Sequence, residues 1–169
     1  MARETPLELI EKIYKQALAE LEVFVHGALC VSYSGQCYMS YANCGRSANR
    51  GECAQYCRLP YSLQDANGNI LLKNKHLLSL KDLNRANFLE DLINAGVMSF
   101  KIEGRMKEAN YVKNITAFYR KKLDAILEHQ PERKRSSFGK STFFFNPIAE
   151  KSFHRGNTDY FLFERSKNM

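Results

Sequence analysis

Two short apolar runs, EVFVHGA from Glu22 and VMSFKIE from Val97, each sit between stretches of helical periodicity. That order limits the fold more than any other feature of the chain. Thr5-Pro6-Leu7-Glu8 reads as a capping box with proline at the first helical position. Ile10, Ile13, Tyr14, Ala17, Leu18 and Leu21 then recur on one helical face. A second helical pattern resumes near Asp82, runs through Leu89, Leu92 and Ile93, and ends at Gly96 as a C-cap. A third covers about Met106 to Glu128, with Tyr111, Val112, Ile115, Phe118 and Ile126 on its buried side. Helix, strand, helix, strand, helix is the order of a parallel α/β fold.

Both strands have a polar face. In the first, Val23 and Val25 point one way, and Glu22 and His26, with Phe24 between them, point the other. In the second, Met98, Phe100 and Ile102 oppose Ser99, Lys101 and Glu103. A sheet covered on both sides must bury its polar face somewhere, and the mouth of a barrel is the natural place, since catalytic groups gather at the C-terminal strand ends there. Edge strands with a wet face are the alternative. A complete eight-fold barrel needs about 250 residues, and this chain has 169. The expectation is therefore an α/β chain that is a partial TIM-barrel-like domain, entered partway, with Ala2-Arg3-Glu4 ending an earlier strand. That domain spans 1–128 and carries a cysteine-rich loop insertion over 28–80, in which QDANGN reads as a hairpin turn between short strands. A polar linker follows over 129–141. TFFFNP then reads as a strand opening a small β-rich segment over 142–169.

The insertion holds all five cysteines, Cys30, Cys37, Cys44, Cys53 and Cys57. The N-terminus is charged from the start and lacks an apolar signal core, and no run of about 18 apolar residues occurs. The reading is a cytoplasmic protein with no membrane association, where thiols stay reduced and clustered cysteines bind metal or do redox chemistry. An odd number also does not suit a closed disulfide framework. Without Cys44 the spacing is C-x6-C-x15-C-x3-C. Structural zinc favours C-x2-4-C pairs, which the last pair meets and the first does not. Iron–sulfur clusters accept wider and uneven spacing. Spacing alone leaves a cluster, zinc, and unbound or disulfide-bonded thiols all open.

A net charge of +7 favours an acidic partner such as nucleic acid, although much of the positive charge in the second half also suits the wet side of a helix. Arg46 and Arg50 share the loop GRSANRG between the cysteine pairs. Paired guanidiniums there suit phosphate or carboxylate, or balance the charge of a thiolate cluster. GKST at Gly139 lacks the first glycine of a phosphate-binding loop, and neither H-E-x-x-H nor G-x-S-x-G occurs. Of the four histidines, only His26, beside Gly27 at a strand end, is placed for chemistry; a hydrogen-bonded structural histidine is the competing reading.

Glu22 to Ser40, EVFVHGALCVSYSGQCYMS, resembles the signature of the collagenase-like peptidase family over nineteen residues. GRSANRGECAQYCRLPY and SFKIEGRMK resemble two further blocks of it. YVKNITAFYRKKLDAI and FHRGNTDYF resemble the branch that makes 5-hydroxycytidine in large-subunit ribosomal RNA. The resemblance implies a barrel-like catalytic domain with an iron–sulfur (4Fe-4S) cluster, RNA as substrate, and prephenate as co-substrate and hydroxyl donor. Carried over by position, it makes Cys30, Cys37, Cys53 and Cys57 the cluster ligands and Cys44 a bystander, with zinc as the alternative metal. Arg46, Arg50, Lys101 and Arg105 are then candidates for binding prephenate carboxylates or RNA phosphate, and His26 and Glu103 for acid/base work. The family continues into a further domain beyond FHRGNTDYFLF, and no obligate protein partner is implied. A peptidase and a zinc-stabilised RNA-binding module without catalysis are the alternative readings.

Overall fold

The computed structural model describes residues 1–163. The elements run α1 (Leu7–Tyr14), β1 (Leu21–Gly27), α2 (Met39–Cys44), β2 (Tyr61–Gln64), β3 (Ile70–Lys75), β4 (Asp82–Asn84), α3 (Leu89–Asn94), β5 (Val97–Ile102), α4 (Ala109–Glu128) and β6 (Asn157–Thr158). They form two compact units: Leu29–Leu80, and Met1–Ala28 together with the chain from Lys81 onward.

The discontinuous unit is mixed α/β. Its sheet has the order β5-β1-β4-β6, with β1 parallel to β5, β4 antiparallel to β1, and β6 parallel to β4. The parallel β1–β5 pair is the one the helix–strand order predicts. The antiparallel β4 is a departure from an all-parallel sheet. Its three residues are too few to show a period, so the sequence near Asp82 reads as the start of a helix; α3 begins only at Leu89, after a short 3-10 turn.

β1 alternates as expected, with Leu21, Val23 and Val25 buried and Glu22 exposed. β5 does not. Phe100 and Ile102 pack against the core, but Met98 faces solvent and Val97 is buried in its place. The cause is a register irregularity at Leu21/Glu22, which shifts the pairing from Leu21–Val97 to Glu22–Ser99 and re-aims the start of β5.

α1 is shorter than its apolar stripe suggests. It ends at Tyr14, Leu18 is fully exposed, and Leu21 belongs to β1. Strand pairing with Val97 overrides the helical period at Leu21. Pro6 precedes the helix in extended conformation, without a side-chain cap bond. Thr5 is buried, and its N–H bonds to Ala2 O at 3.1 Å, so no capping box forms. Gly96 adopts φ +92° between α3 and β5, and a Cβ there would lie 2.1 Å from the ring of Tyr14. Only glycine fits that turn.

α4 buries Tyr111, Ile115, Ala117 and Tyr119, with Phe118 and Ile126 against the same core; Val112 is exposed. TFFFNP forms no strand. Phe143 packs edge-on to Phe145, and Asn114 of α4 clamps the following chain by donating to Ile148 O at 2.7 Å and accepting from Ile148 N at 3.1 Å. The 129–141 stretch has no regular structure, yet Arg135 reaches Asp124 of α4 at 2.7 Å.

In the Leu29–Leu80 unit, β2 and β3 pair as the predicted antiparallel hairpin. Asp65 Oδ1 closes its turn by accepting from the N–H groups of Asn67 and Asn69 at 2.9 and 2.8 Å. No helix among the described residues is long and apolar enough to cross a membrane.

Candidate functional site

In the Leu29–Leu80 unit all five cysteines are free, four of them partly buried and Cys44 exposed. Burial pushes the Cys57 thiol above its ordinary value; Arg58 opposes this, and the charges of Cys30, Cys53 and Cys37 add to it. Cys57 therefore feels the other three members of the predicted set. Cys37 is held below its ordinary value by a hydrogen bond with Ser32 and by backbone bonds at Met39 and Ser40. Cys53 Sγ accepts from Gln55 N at 3.4 Å. Cys44 instead donates to Ser40 O, one turn earlier in α2, at 3.2 Å. The donor set thus fits a thiolate-bound metal in its chemistry: soft sulfurs, partly buried, two of them accepting N–H bonds. The thiols are neighbours rather than a tight cage. Among the described residues no three His, Cys, Asp or Glu side chains converge to metal-holding distance.

Sequence reasoning missed what ties this unit together. Arg58 donates to the carbonyl of Leu29, to Ser79 Oγ at 2.9 Å and to Leu80 O at 3.2 Å, joining the first and last residues of the unit beside Cys57. His76 Nδ1 lies 2.9 Å from Arg58 O. Only its adjacency to Cys57 could have drawn attention to Arg58. Arg46 and Arg50 are exposed. Arg50 lines a groove of about 490 Å3 with Cys37, Tyr38, Tyr41 and Glu52, so one of the two predicted guanidiniums shares a surface with a predicted ligand.

In the other unit, His26 is buried near the end of β1, 4% exposed. Its Nδ1 is 3.3 Å from the hydroxyl of Tyr119, which also lies 2.9 Å from Val25 O and 3.2 Å from Asn84 Oδ1. The hydroxyl has one proton. When it goes to Val25 O, His26 Nδ1 must donate, leaving Nε2 as the acceptor. Burial lowers the His26 pKa to about 4, with Asp82 and Glu150 raising it and His154 and Lys107 lowering it further. The imidazole is therefore neutral at neutral pH, and the burial that keeps it so disfavours its protonated form.

The structure brings the two predicted acid/base residues together by backbone: Glu103 N donates to His26 O at 2.8 Å. Glu103 Oε1 accepts from Arg105 N at 2.8 Å. Gly27 lies between them with φ +123°, and a Cβ there would meet Glu103 Cβ and O at 2.8 Å. Lys101 and Arg105 are exposed. Beneath this corner Arg85 is wholly buried, donating to Arg3 O, Asp159 O and Phe24 O at 3.1, 3.2 and 3.4 Å. Arg155 grips buried Asp82 at 3.0 Å. Tyr119, Asn84, Arg85 and Arg155 escaped sequence reasoning, because nothing in their spacing points to His26.

The whole chain, residues 1–169, matches peptidase family U32. It is 56% identical over 169 residues to the 23S rRNA 5-hydroxycytidine C2501 synthase of Escherichia coli (strain K12), covering 26% of that protein. It is 41% identical over 105 residues to a collagenase of Porphyromonas gingivalis, covering 62% of this chain and 29% of the relative. The tRNA hydroxylation protein P1 of Bacillus subtilis (strain 168) is 38% identical over 131 residues, 74% of this chain and 31% of that protein. The chain therefore spans about a quarter to a third of the length of these relatives. No solved structure matches.

Proposed function

Because the chain belongs to peptidase family U32, we propose that it is the cysteine-bearing part of a cytoplasmic RNA-modifying hydroxylase that forms 5-hydroxycytidine in large-subunit ribosomal RNA. One observation carries this reading: 56% identity across the entire chain to a protein named for that reaction. The tRNA hydroxylation relatives support hydroxylation of RNA as the broader activity.

In this reading Cys30, Cys37, Cys53 and Cys57 hold a 4Fe-4S cluster, and zinc is the alternative occupant. When bound, the cluster supplies one-electron chemistry at a potential set by hydrogen bonds to sulfur and by exposure. The chain's own residues do the rest. N–H groups around Cys37 and Cys53 stabilise thiolates, and Arg58 fixes the loop ends next to Cys57. Arg46, Arg50, Lys101 and Arg105 are the cations for phosphate or for the carboxylates of prephenate, the proposed hydroxyl donor. His26, neutral and oriented by Tyr119, and Glu103, held by the Arg105 N–H, are the acid/base candidates. The mixed sheet is one side of a TIM-barrel-like domain, and the chain after α4 completes that same sheet by placing β6 beside β4.

Peptidase activity is the second reading, favoured by the collagenase-named relatives. Full-length protein purified without air, given prephenate and ribosomal RNA from cells lacking the gene, decides between them. Hydroxycytidine appearing only with prephenate supports the proposal. Cleavage of gelatin without RNA modification supports the peptidase.

A further inference from the structure

α4 borders a surface, built from residues of its own unit, that meets the His26 cluster at Lys107, Tyr111 and Arg155. Two grooves run beside it and share the ring of Phe145. The larger, about 630 Å3, is walled by Lys107, Asn110, Lys151 and Phe153, and the smaller, about 410 Å3, by Lys113 and Phe144. Rings and cations alternate along them. Lys107 Nζ lies 4.7 Å from the ring centroids of both Tyr111 and Phe153, Arg155 sits 5.0 Å from Phe153, and Lys113 Nζ sits 5.1 Å from Phe145. Each cation is thereby held over an aromatic face.

The rings nonetheless keep open surface. Phe144 is fully exposed and Phe153 is 63% exposed. One exposed phenylalanine needs no explanation, but several along joined grooves mark an interaction surface. Among the described residues Glu108 is the one carboxylate in the groove walls, against Lys107, Lys113 and Lys151, so the surface favours a polyanion. An acidic peptide would satisfy the lysines and leave the rings wet. An apolar partner would cover the rings and strand the lysines. A single-stranded nucleic acid suits both at once, with phosphates for the cations and unstacked bases for the rings.

We propose that these grooves bind a single-stranded segment of RNA, with bases stacking on Phe144 and Phe153 and phosphates meeting Lys107, Lys113 and Lys151. The choice of RNA rests on the hydroxylase reading. A paired A-form helix offers no unstacked faces, so the grooves discriminate against duplex.

The test uses the full-length protein and a fluorescein-labelled, unstructured oligoribonucleotide of about 12 nucleotides, within the usual range of single-strand sites. Phe144→Ala and Phe153→Ala should each weaken binding roughly 5- to 100-fold, the loss of about one stacked base, without changing its salt dependence. Phe153→Tyr should retain affinity. Lys107→Ala and Lys151→Ala should each lower the log–log salt slope by about 0.7. Affinity for a hairpin duplex should scarcely move in the phenylalanine variants. Phe144 is fully exposed, so its removal does not threaten the fold. Unchanged single-strand affinity in both phenylalanine variants overturns the proposal; a lowered Tm alongside it would mark the rings as a contact with the rest of the full-length protein. Formation of hydroxycytidine by the same wild-type preparation tests the hydroxylase reading separately. If it forms while the variants bind normally, only the groove assignment fails; if wild type neither modifies nor binds RNA, both do.

Discussion

The hydroxyl of Tyr119 stands 3.3 Å from Nδ1 of His26, although 93 residues separate them in the chain. The contact joins the middle of α4 to the end of β1 and keeps the imidazole edge-on to the phenol ring, 5.4 Å between centroids. Burial raises the Tyr119 pKa, so the hydroxyl stays protonated and serves as a fixed dipole.

Stability should depend on acid through His26. Its folded pKa of about 4 lies below the ordinary 6.5, so the unfolded chain takes up the proton first as pH falls. The native state therefore loses stability between about pH 6.5 and 4, by up to roughly 3 kcal/mol at 1.36 kcal/mol per pH unit. Asp82 and Glu150 moderate the loss, and Lys107 and His154 add to it. Denaturant melts across this range should show the slope in wild type and a flatter one in His26→Gln. Equal slopes would show that other groups set the acid sensitivity.

Gly27→Ala should disturb the corner that holds both acid/base candidates. The added methyl meets Glu103 Cβ and backbone O at 2.8 Å, and φ +123° strains any residue with a Cβ. A loss of about 1–3 kcal/mol is expected, together with reduced activity. A Tm equal to that of wild type would contradict the close approach.

The sequence made much of this arrangement legible, for identifiable reasons. β1 shows its alternation from Leu21 to Val25, α4 its long helical stripe, and the β2–β3 hairpin its Asn-Gly turn, because in each a local pattern coincides with what the fold buries. β4 was invisible because three residues carry no period. Met98 was misplaced because a register irregularity in strand pairing leaves no trace in a single strand's alternation. TFFFNP reads as a strand on composition, yet Phe143 packs on Phe145, Phe144 is fully exposed, and no described strand pairs with it. In the site, the cysteines announce themselves by chemistry. Arg58 and Tyr119 do not, since an arginine that grips carbonyls and a tyrosine on a helix face look ordinary until the chain is folded.

Arg58 should matter for the integrity of the cysteine-rich unit more than for charge. Arg58→Ala removes hydrogen bonds to Leu29, Ser79 and Leu80, each worth about 1.5–3 kcal/mol when the donor is charged. Arg58→Lys should rescue little, because one ammonium cannot reproduce the fork. Limited proteolysis should find new cleavage within residues 29–80 in both variants. Wild-type resistance in Arg58→Ala would show that the unit closes without it.

Metal content separates cluster from zinc. Full-length protein purified without air should be brown and hold about four irons per chain. Cys44→Ser should leave the iron unchanged, because Cys44 lies outside the four-cysteine set, exposed in α2. Cys30→Ser and Cys57→Ser should abolish it. Stoichiometric zinc with no visible absorption would reverse the assignment.

The most direct measurement is nucleoside mass spectrometry of large-subunit ribosomal RNA from cells lacking the full-length gene, then complemented with wild type, Cys44→Ser or Cys57→Ser. The account predicts that hydroxycytidine disappears on deletion, returns with wild type and Cys44→Ser, and stays absent with Cys57→Ser. Hydroxycytidine that persists in the deletion strain, or that returns fully with Cys57→Ser, would contradict it.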